Sequence, residues 1–253
     1  MRPRLGSALL FLLALFPFAF LLLLSASQRW VYPDLLPAGW SLRPWGDALG
    51  RGDDLGVALL TSLLIALTVG AVGTLLGFAT ARRLSLLPRG RRWLRLAYLP
   101  YVFAPVILAA CLQFYFLRLG LSGRVAGVLL AQLFIVYPYA VILASSFYTS
   151  RLRDMEDLAG TLGARPVEVA RKVSWHLLHG PLAIVFFQSF LISWFEYGLT
   201  LLIGVGKVAT LPLKVFQFVN EANIFYAAMA ASLLVVPPVL LLWINKRLLF
   251  VTR

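Results

Sequence analysis

Residues 150–180 read SRLRDMEDLAGTLGARPVEVARKVSWHLLHG, and the chain on either side of them is uncharged and strongly apolar. That contrast decides the fold. Of 253 residues, 61% are hydrophobic and only 13% are charged, whereas soluble domains carry about 25% charged residues. No polar stretch is long enough to build a soluble domain, so the bilayer is the expected solvent for most of the chain. The single cysteine, Cys111, leaves no disulfide within the chain.

Six apolar runs approach the roughly 20 residues that cross about 30 Å of hydrocarbon. They lie at about 6–26, 55–80, 97–117, 125–148, 182–204 and 224–244. Backbone polar groups cannot stay unpaired in lipid, so each run is expected to be helical. Their continuous apolar pattern, without alternation, excludes strands. The expectation is an all-α, polytopic membrane protein with six transmembrane helices in one domain, residues 1–253. Leu5 to Leu24 stays uncharged for longer than the about 7–15 residues of a signal-peptide core, so the first run reads as a retained helix.

Alternate loops differ in basic charge. Sixteen Lys and Arg fall in the N-terminus, the 82–95 loop, the 150–180 insert and the C-terminus, against seven in the remaining loops. The positive-inside rule then places both termini and the insert in the cytoplasm. The net charge of +13 is read as this topology signal and as attraction to anionic headgroups, not as a nucleic-acid footprint. Trp30, Tyr32, Trp40 and Trp45 outside, with Trp93 and Trp243 inside, suit interfacial aromatic belts.

Within the insert, Met155, Leu158, Ala159 and Leu162 recur at i, i+3, i+4 and i+7, one face of a short amphipathic helix. Gly163 stands where a C-terminal glycine lets the backbone take positive φ. Pro166 fits the first turn of a second helix. Glu168 early in it, with Arg171 and Lys172 late, complements that helix's dipole. Helices this short are marginal alone. They need a surface, whether a soluble partner, the membrane or the chain's own bundle.

This segment resembles the cytoplasmic signature of binding-protein-dependent ABC transporter permeases. That signature is Glu-Ala-Ala, three residues, Gly, nine residues, an apolar residue, one more, then Leu-Pro. Asp157-Leu158-Ala159-Gly160-Thr161-Leu162-Gly163 matches at Ala159 and Gly163, with Asp157 for Glu, and Val173 holds the later apolar position. The departures are Leu158 for Ala, Trp175 for Leu and His176 for Pro. Tyr32-Pro33-Asp34-Leu35-Leu36-Pro37 and Trp40-Ser41-Leu42-Arg43 resemble the first external loop of spermidine-, thiamine- and sulfate-type importer permeases. Ser193-Trp194, Tyr197 to Gly204 and Thr210-Leu211-Pro212 are similar to the same subgroup.

The resemblance implies a type I importer permease of the bacterial inner membrane. In that family the insert is a coupling helix docked on a cytoplasmic ATPase, which assigns ATPase contact to Asp157, Leu158, Ala159, Leu162, Gly163, Ala164, Pro166 and Val173. It further implies two ATPase subunits that carry ATP and Mg, a second permease copy or paralogue, and an extracytoplasmic solute-binding protein. The chain itself then binds no cofactor and performs no covalent chemistry. No G-x-x-x-x-G-K-S/T phosphate loop is present. Gly204-Val205-Gly206-Lys207-Val208 lacks the earlier Gly and the hydroxyl residue, and reads as a turn.

Glu196 is the one acidic residue inside the six runs. An ionised carboxylate at mid-membrane is costly unless paired or hydrated. Ser189, Ser193, Glu196 and Thr200 follow i, i+4, i+7 and i+11, a polar stripe if the run is one helix. With Tyr197, and with Tyr137 beside Pro138, they are candidates for the wall of a solute path. The stripe reads equally as an interhelical hydrogen-bond site, and Glu196 mildly favours a cation such as a polyamine or thiamine. Gln113, Gln132 and Gln188 read as helix–helix glue. Gly70, Gly73 and Gly77 form a close-packing face. His176 and His179 have no third ligand nearby, so no metal site is expected, and no catalytic constellation is found.

The leading expectation is therefore one permease subunit of an ATP-driven importer, forming half of the translocation path for a small polar solute. The alternative is a stand-alone secondary carrier or channel. Such carriers often show two similar halves, and no convincing repeat is found here.

Overall fold

A computed structural model describes residues 3–30, 34, 37–42, 45–46, 50, 55–148 and 150–250. Most of the external-loop resemblance at Tyr32 to Pro37, and Arg2, Arg43, Arg51 and Arg253 of the charge count, lie outside them. The helices are α1 (Pro3–Ser25), α2 (Leu55–Leu86), α3 (Gly90–Leu94), α4 (Pro105–Arg118), α5 (Val125–Phe147) and α6 (Ser150–Thr161). They continue with α7 (Pro166–Val169), α8 (Trp175–Trp194), α9 (Gly198–Gly204), α10 (Leu211–Asn220) and α11 (Ile224–Phe250). A 3-10 helix spans Arg95–Val102 and a π-helical turn spans Ala170–Ser174. One two-stranded antiparallel ribbon pairs β1 (Ser27–Arg29) with β2 (Gly39–Trp40).

Four helices among the described residues are long and apolar enough to cross a membrane: Leu55–Leu86, Val125–Phe147, Val167–Trp194 and Ile224–Ile244. A bent pair makes a fifth if it counts as one span. Less than half of each apolar window is buried within the chain. The outward faces carry large apolar side chains such as Leu60, Leu64, Leu75 and Leu240, which hydrocarbon or neighbouring helices can cover.

Two of the expected continuous helices are broken. The 97–117 run is not one helix. Arg92–Val102 and Pro105–Arg118 meet at 92°. Pro100 lies inside the first part and Pro105 opens the second, with Ala104 extended before it. Proline removes an N–H and pushes its predecessor out of helical geometry, which accounts for the corner. The 182–204 run breaks after Trp194 and resumes as α9 at Gly198. No proline stands there; the Glu196 carboxylate takes the N–H groups that the break frees.

The chain divides into two compact units. In the first, residues 1–62 and 209–239, Leu55, Ala58, Leu211 and Met229 are buried. The Ser62 hydroxyl accepts the Leu211 N–H at 2.7 Å, satisfying one of the orphan donors that open α10. Trp45 donates from its indole to the Ser25 carbonyl at 3.2 Å.

In the second unit, residues 63–208 and 240–253, α5 packs along α8 and α9, and α4 packs along α9. One core gathers Ile65, Val69, Phe116, Val128, Ile135, Val136, Leu199 and Ile203. A separate core gathers Phe78, Ala81, Ala140, Ala144, Leu152, Leu178 and Val185. The small residues of α2 permit this approach. A Cβ on Gly70 would sit 3.3 Å from the Phe190 backbone, and one on Gly77 would sit 2.6 Å from the Ala140 Cβ.

Candidate functional site

α6 ends in a glycine turn that its sequence predicts. Gly163 has φ +86°. Its N–H bonds the Gly160 carbonyl at 3.0 Å, and the Ala164 N–H bonds the Ala159 carbonyl at 3.1 Å. This pair of bonds is the Schellman arrangement, which satisfies carbonyls left over at a helix end. α7 then starts at Pro166, and Glu168 reaches back to accept the Arg165 N–H at 3.0 Å, as in a capping box. Lys172 lies 3.9 Å from Glu168, one turn on.

Beyond α7 the helix does not stop. It passes through the π-turn at Ala170–Ser174 into α8 and runs to Trp194. His176, where the family signature has proline, is therefore helical, and the second short helix is the root of a membrane span.

The expected contact face stands out from the chain. Leu158 is 61% exposed and Leu162 is 80% exposed. Met155, Asp157 and Gly163 are exposed as well, whereas Ala159, Ala164 and Val173 are half-buried. The opposite side of α6 faces inward. Leu152 is buried in the second core. Glu156, one turn later, accepts from Arg82 at 3.3 Å and from the Ser174 hydroxyl at 2.5 Å. Sequence reasoning missed Leu152, Glu156 and Ser174. The i, i+4 spacing of Leu152 and Glu156 on the face away from Leu158 was the available signal.

The second group of candidate residues converges at the break between α8 and α9. Glu196 accepts the Leu199 N–H at 2.6 Å, the Thr200 N–H at 3.0 Å and the Thr200 hydroxyl at 2.8 Å. Its carboxylate replaces the carbonyls that a continuous helix would offer these donors, which is why the chain can break here without proline. Gln132 of α5 donates to the Thr200 hydroxyl at 3.1 Å and accepts from Ser193 at 2.5 Å. Ser193, Gln132, Thr200 and Glu196 therefore form one connected chain of hydrogen bonds, with Ser193, Gln132 and Thr200 buried.

The polar stripe expected on one helix is instead divided by the break, and it closes through Gln132. Ser189 is fully buried, and its hydroxyl has no partner among the described residues. Tyr197 is half-buried just before α9. Tyr137 lies elsewhere: its hydroxyl shares a 2.9 Å hydrogen bond with Thr80, and its ring lines an apolar hollow of about 230 Å³ with Leu76, Leu130, Leu133 and Phe134. Residues 204–208 form a turn with Val205 left-handed at φ 47°.

A set of apolar spans, two of them broken, with a polar hinge inside and an exposed amphipathic elbow outside, defines a membrane transport subunit. Known proteins agree. The chain is 35% identical over 198 residues to the molybdenum transport system permease protein ModB of Mycobacterium tuberculosis, an alignment covering 70% of this chain and 74% of that one. It is 29% identical over 250 residues to the putative 2-aminoethylphosphonate transport system permease protein PhnV of Salmonella typhimurium, covering 96% and 92%. It is 24% identical over 247 residues to the inner membrane ABC transporter permease protein YcjP of Escherichia coli, covering 94% and 88%. Among solved structures, a bacterial ABC transporter involved in the import of the acidic polysaccharide alginate shares the fold, with a TM-score of 0.67, 19% identity and coverage of 98% and 94%. No protein-family model matches the chain. The chain belongs to the ABC transporter permeases, and it is a multi-pass protein of the inner membrane.

Proposed function

We propose that this permease forms half of the translocation path of an ATP-driven importer and is coupled to a cytoplasmic ATPase through residues 150–180. The carrying observation is the exposed apolar face of α6, set on a rigid glycine turn that leads without interruption into the α8 span. Asp157, Leu158, Ala159, Leu162, Gly163, Ala164, Pro166 and Val173 are the proposed contact set. ATP and Mg belong to the partner, and a second permease copy or paralogue with an external solute-binding protein completes the machine. Six membrane crossings with both termini in the cytoplasm fit the basic-loop asymmetry.

The proposed solute is a small oxyanion. Glu196 is the acid on which a cation preference rested, and both its oxygens are already taken by the α9 N–H groups and Thr200. The relatives are named for molybdenum and 2-aminoethylphosphonate, neither of them a polyamine or thiamine. Of the subgroup that the loops resemble, the sulfate type matches this chemistry. Calorimetry on the partner solute-binding protein tests it. Binding of molybdate, sulfate or a phosphonate with no binding of spermidine or thiamine is expected, and the reverse order would reject the oxyanion reading.

A further inference from the structure

Among the described residues of the second unit, Glu156 is a carboxylate that ties three elements together. Its Oε2 accepts from Arg82 at the cytoplasmic end of α2, at 3.3 Å. Its Oε1 accepts from Ser174, the last residue of the π-turn that roots α8, at 2.5 Å. The Ser174 hydroxyl also lies 3.4 Å from the Val169 carbonyl, five residues back, the reach that a widened turn gives. π-turns are rare, occur mostly as single-turn bulges inside α-helices, and are frequent at functional sites. Here the bulge brings the Ser174 hydroxyl to the carboxylate of α6.

The geometry has a mechanical consequence. α6 is twelve residues long and is followed by the glycine turn at Gly163. Leu152 seats it in the core beside Phe78, Ala81, Ala140, Ala144 and Leu178, but apolar contact is non-directional. Two directional bonds on Glu156 fix the rotation of α6 about its own axis and its distance from α2 and α8 at once. The Arg82 side chain is 47% exposed and that of Glu156 15% exposed. With Arg82 this open to solvent the ion pair itself adds little to stability, so its contribution is to position α6.

We propose that Glu156 is the positioning residue that makes α6, α2 and α8 move as one body, carrying nucleotide-driven displacement of the α6 face into two membrane spans. This rests on the reading of α6 as the ATPase contact. Glu156 lies on the side of α6 away from the exposed Leu158 and Leu162, so it transmits the motion without belonging to that apolar face.

The test is hydrogen–deuterium exchange on the complete transporter in lipid nanodiscs, with and without a non-hydrolysable ATP analogue. In the wild type, nucleotide changes exchange in α6, α2 and α8. In Glu156→Gln the ATPase stays bound and α6 still responds, but the response in α2 and α8 falls by about fivefold or more. Ser174→Ala weakens the response in α8 more than in α2, and the exchanged pair Arg82→Glu with Glu156→Arg recovers the α2 response. An undiminished response of α2 and α8 in Glu156→Gln overturns the proposal. Loss of the ATPase from Glu156→Gln overturns it too, because Glu156 would then shape the docking face. A wild-type chain that binds no ATPase removes the docking reading instead. The joint is then judged on the free chain, where Glu156→Gln must speed exchange across residues 150–161 by about tenfold, and unchanged exchange there disproves it.

Discussion

Gly163 and Glu196 are single residues on which a break in the chain depends, and they work in opposite ways. Gly163 needs a left-handed backbone that a Cβ disfavours by about 1–2 kcal/mol, although nothing within 4 Å obstructs the side chain itself. Gly163→Val is therefore expected to lower the amount of ATPase that copurifies while the melting midpoint of the detergent-solubilised chain changes little. Full retention of the ATPase would show that the turn tolerates another geometry.

Glu196 instead holds its break through three accepted hydrogen bonds. Each donor left unpaired in a buried site costs about 1–3 kcal/mol. Thermal midpoints should fall in the order wild type, Glu196→Gln, Glu196→Ala, because the amide keeps one acceptor oxygen and alanine keeps none. A Gln variant as stable as wild type but dead in transport would move Glu196 back to a charge role in the solute path.

At the scale of elements, α2 owes its place to the missing side chains of Gly70, Gly73 and Gly77. Gly77→Val drives a branched side chain into Ala140, and overpacking of that kind costs about 1–3 kcal/mol. Gly160, inside α6 with nothing within 4 Å, is the contrasting case. There Gly160→Ala should raise helix stability by up to about 1 kcal/mol. Circular-dichroism melts of the two variants should shift in opposite directions. Equal downward shifts would mean that both sites are sensitive for some reason other than packing.

Elements also show what the sequence could and could not reveal. The amphipathic face of α6, its glycine turn and the proline restart of α7 all depend on neighbours within a few residues, so their pattern is readable. The corner at Phe103–Ala104 was signalled by Pro100 and Pro105, which can break or kink a helix, although unbroken hydropathy drew one span across it. At the α8–α9 break the reach of Glu196 to Leu199 and Thr200 is local, whereas the link through Gln132, whose bond to Thr200 spans 68 residues, is not readable in the sequence. For Glu156 the spacing from Leu152 was readable, but its partner Arg82, 74 residues away, was not. Local chemistry is legible in one dimension; a partner brought in by packing is not.

For the whole molecule, apolar spans provide the membrane body, the polar hinge at Glu196 breaks one of them, and the elbow from α6 to α8 is the proposed contact with a soluble motor. Membership of the ABC permeases makes an ATPase-driven cycle the expected use of these parts. Nucleotide and solute-binding protein would then bias one inward–outward equilibrium through different contacts. A stand-alone carrier would have no use for the exposed leucine face of α6. Copurification from host membranes is the most direct measurement. The wild-type chain should retain the ATPase, and Leu158→Asp with Leu162→Asp should lose it by about tenfold or more while melting like wild type, since both side chains are solvent-exposed and truncating contact hot spots commonly costs 2 kcal/mol or more, roughly. A wild-type chain that retains no ATPase, or a double variant that binds it undiminished, would contradict the account.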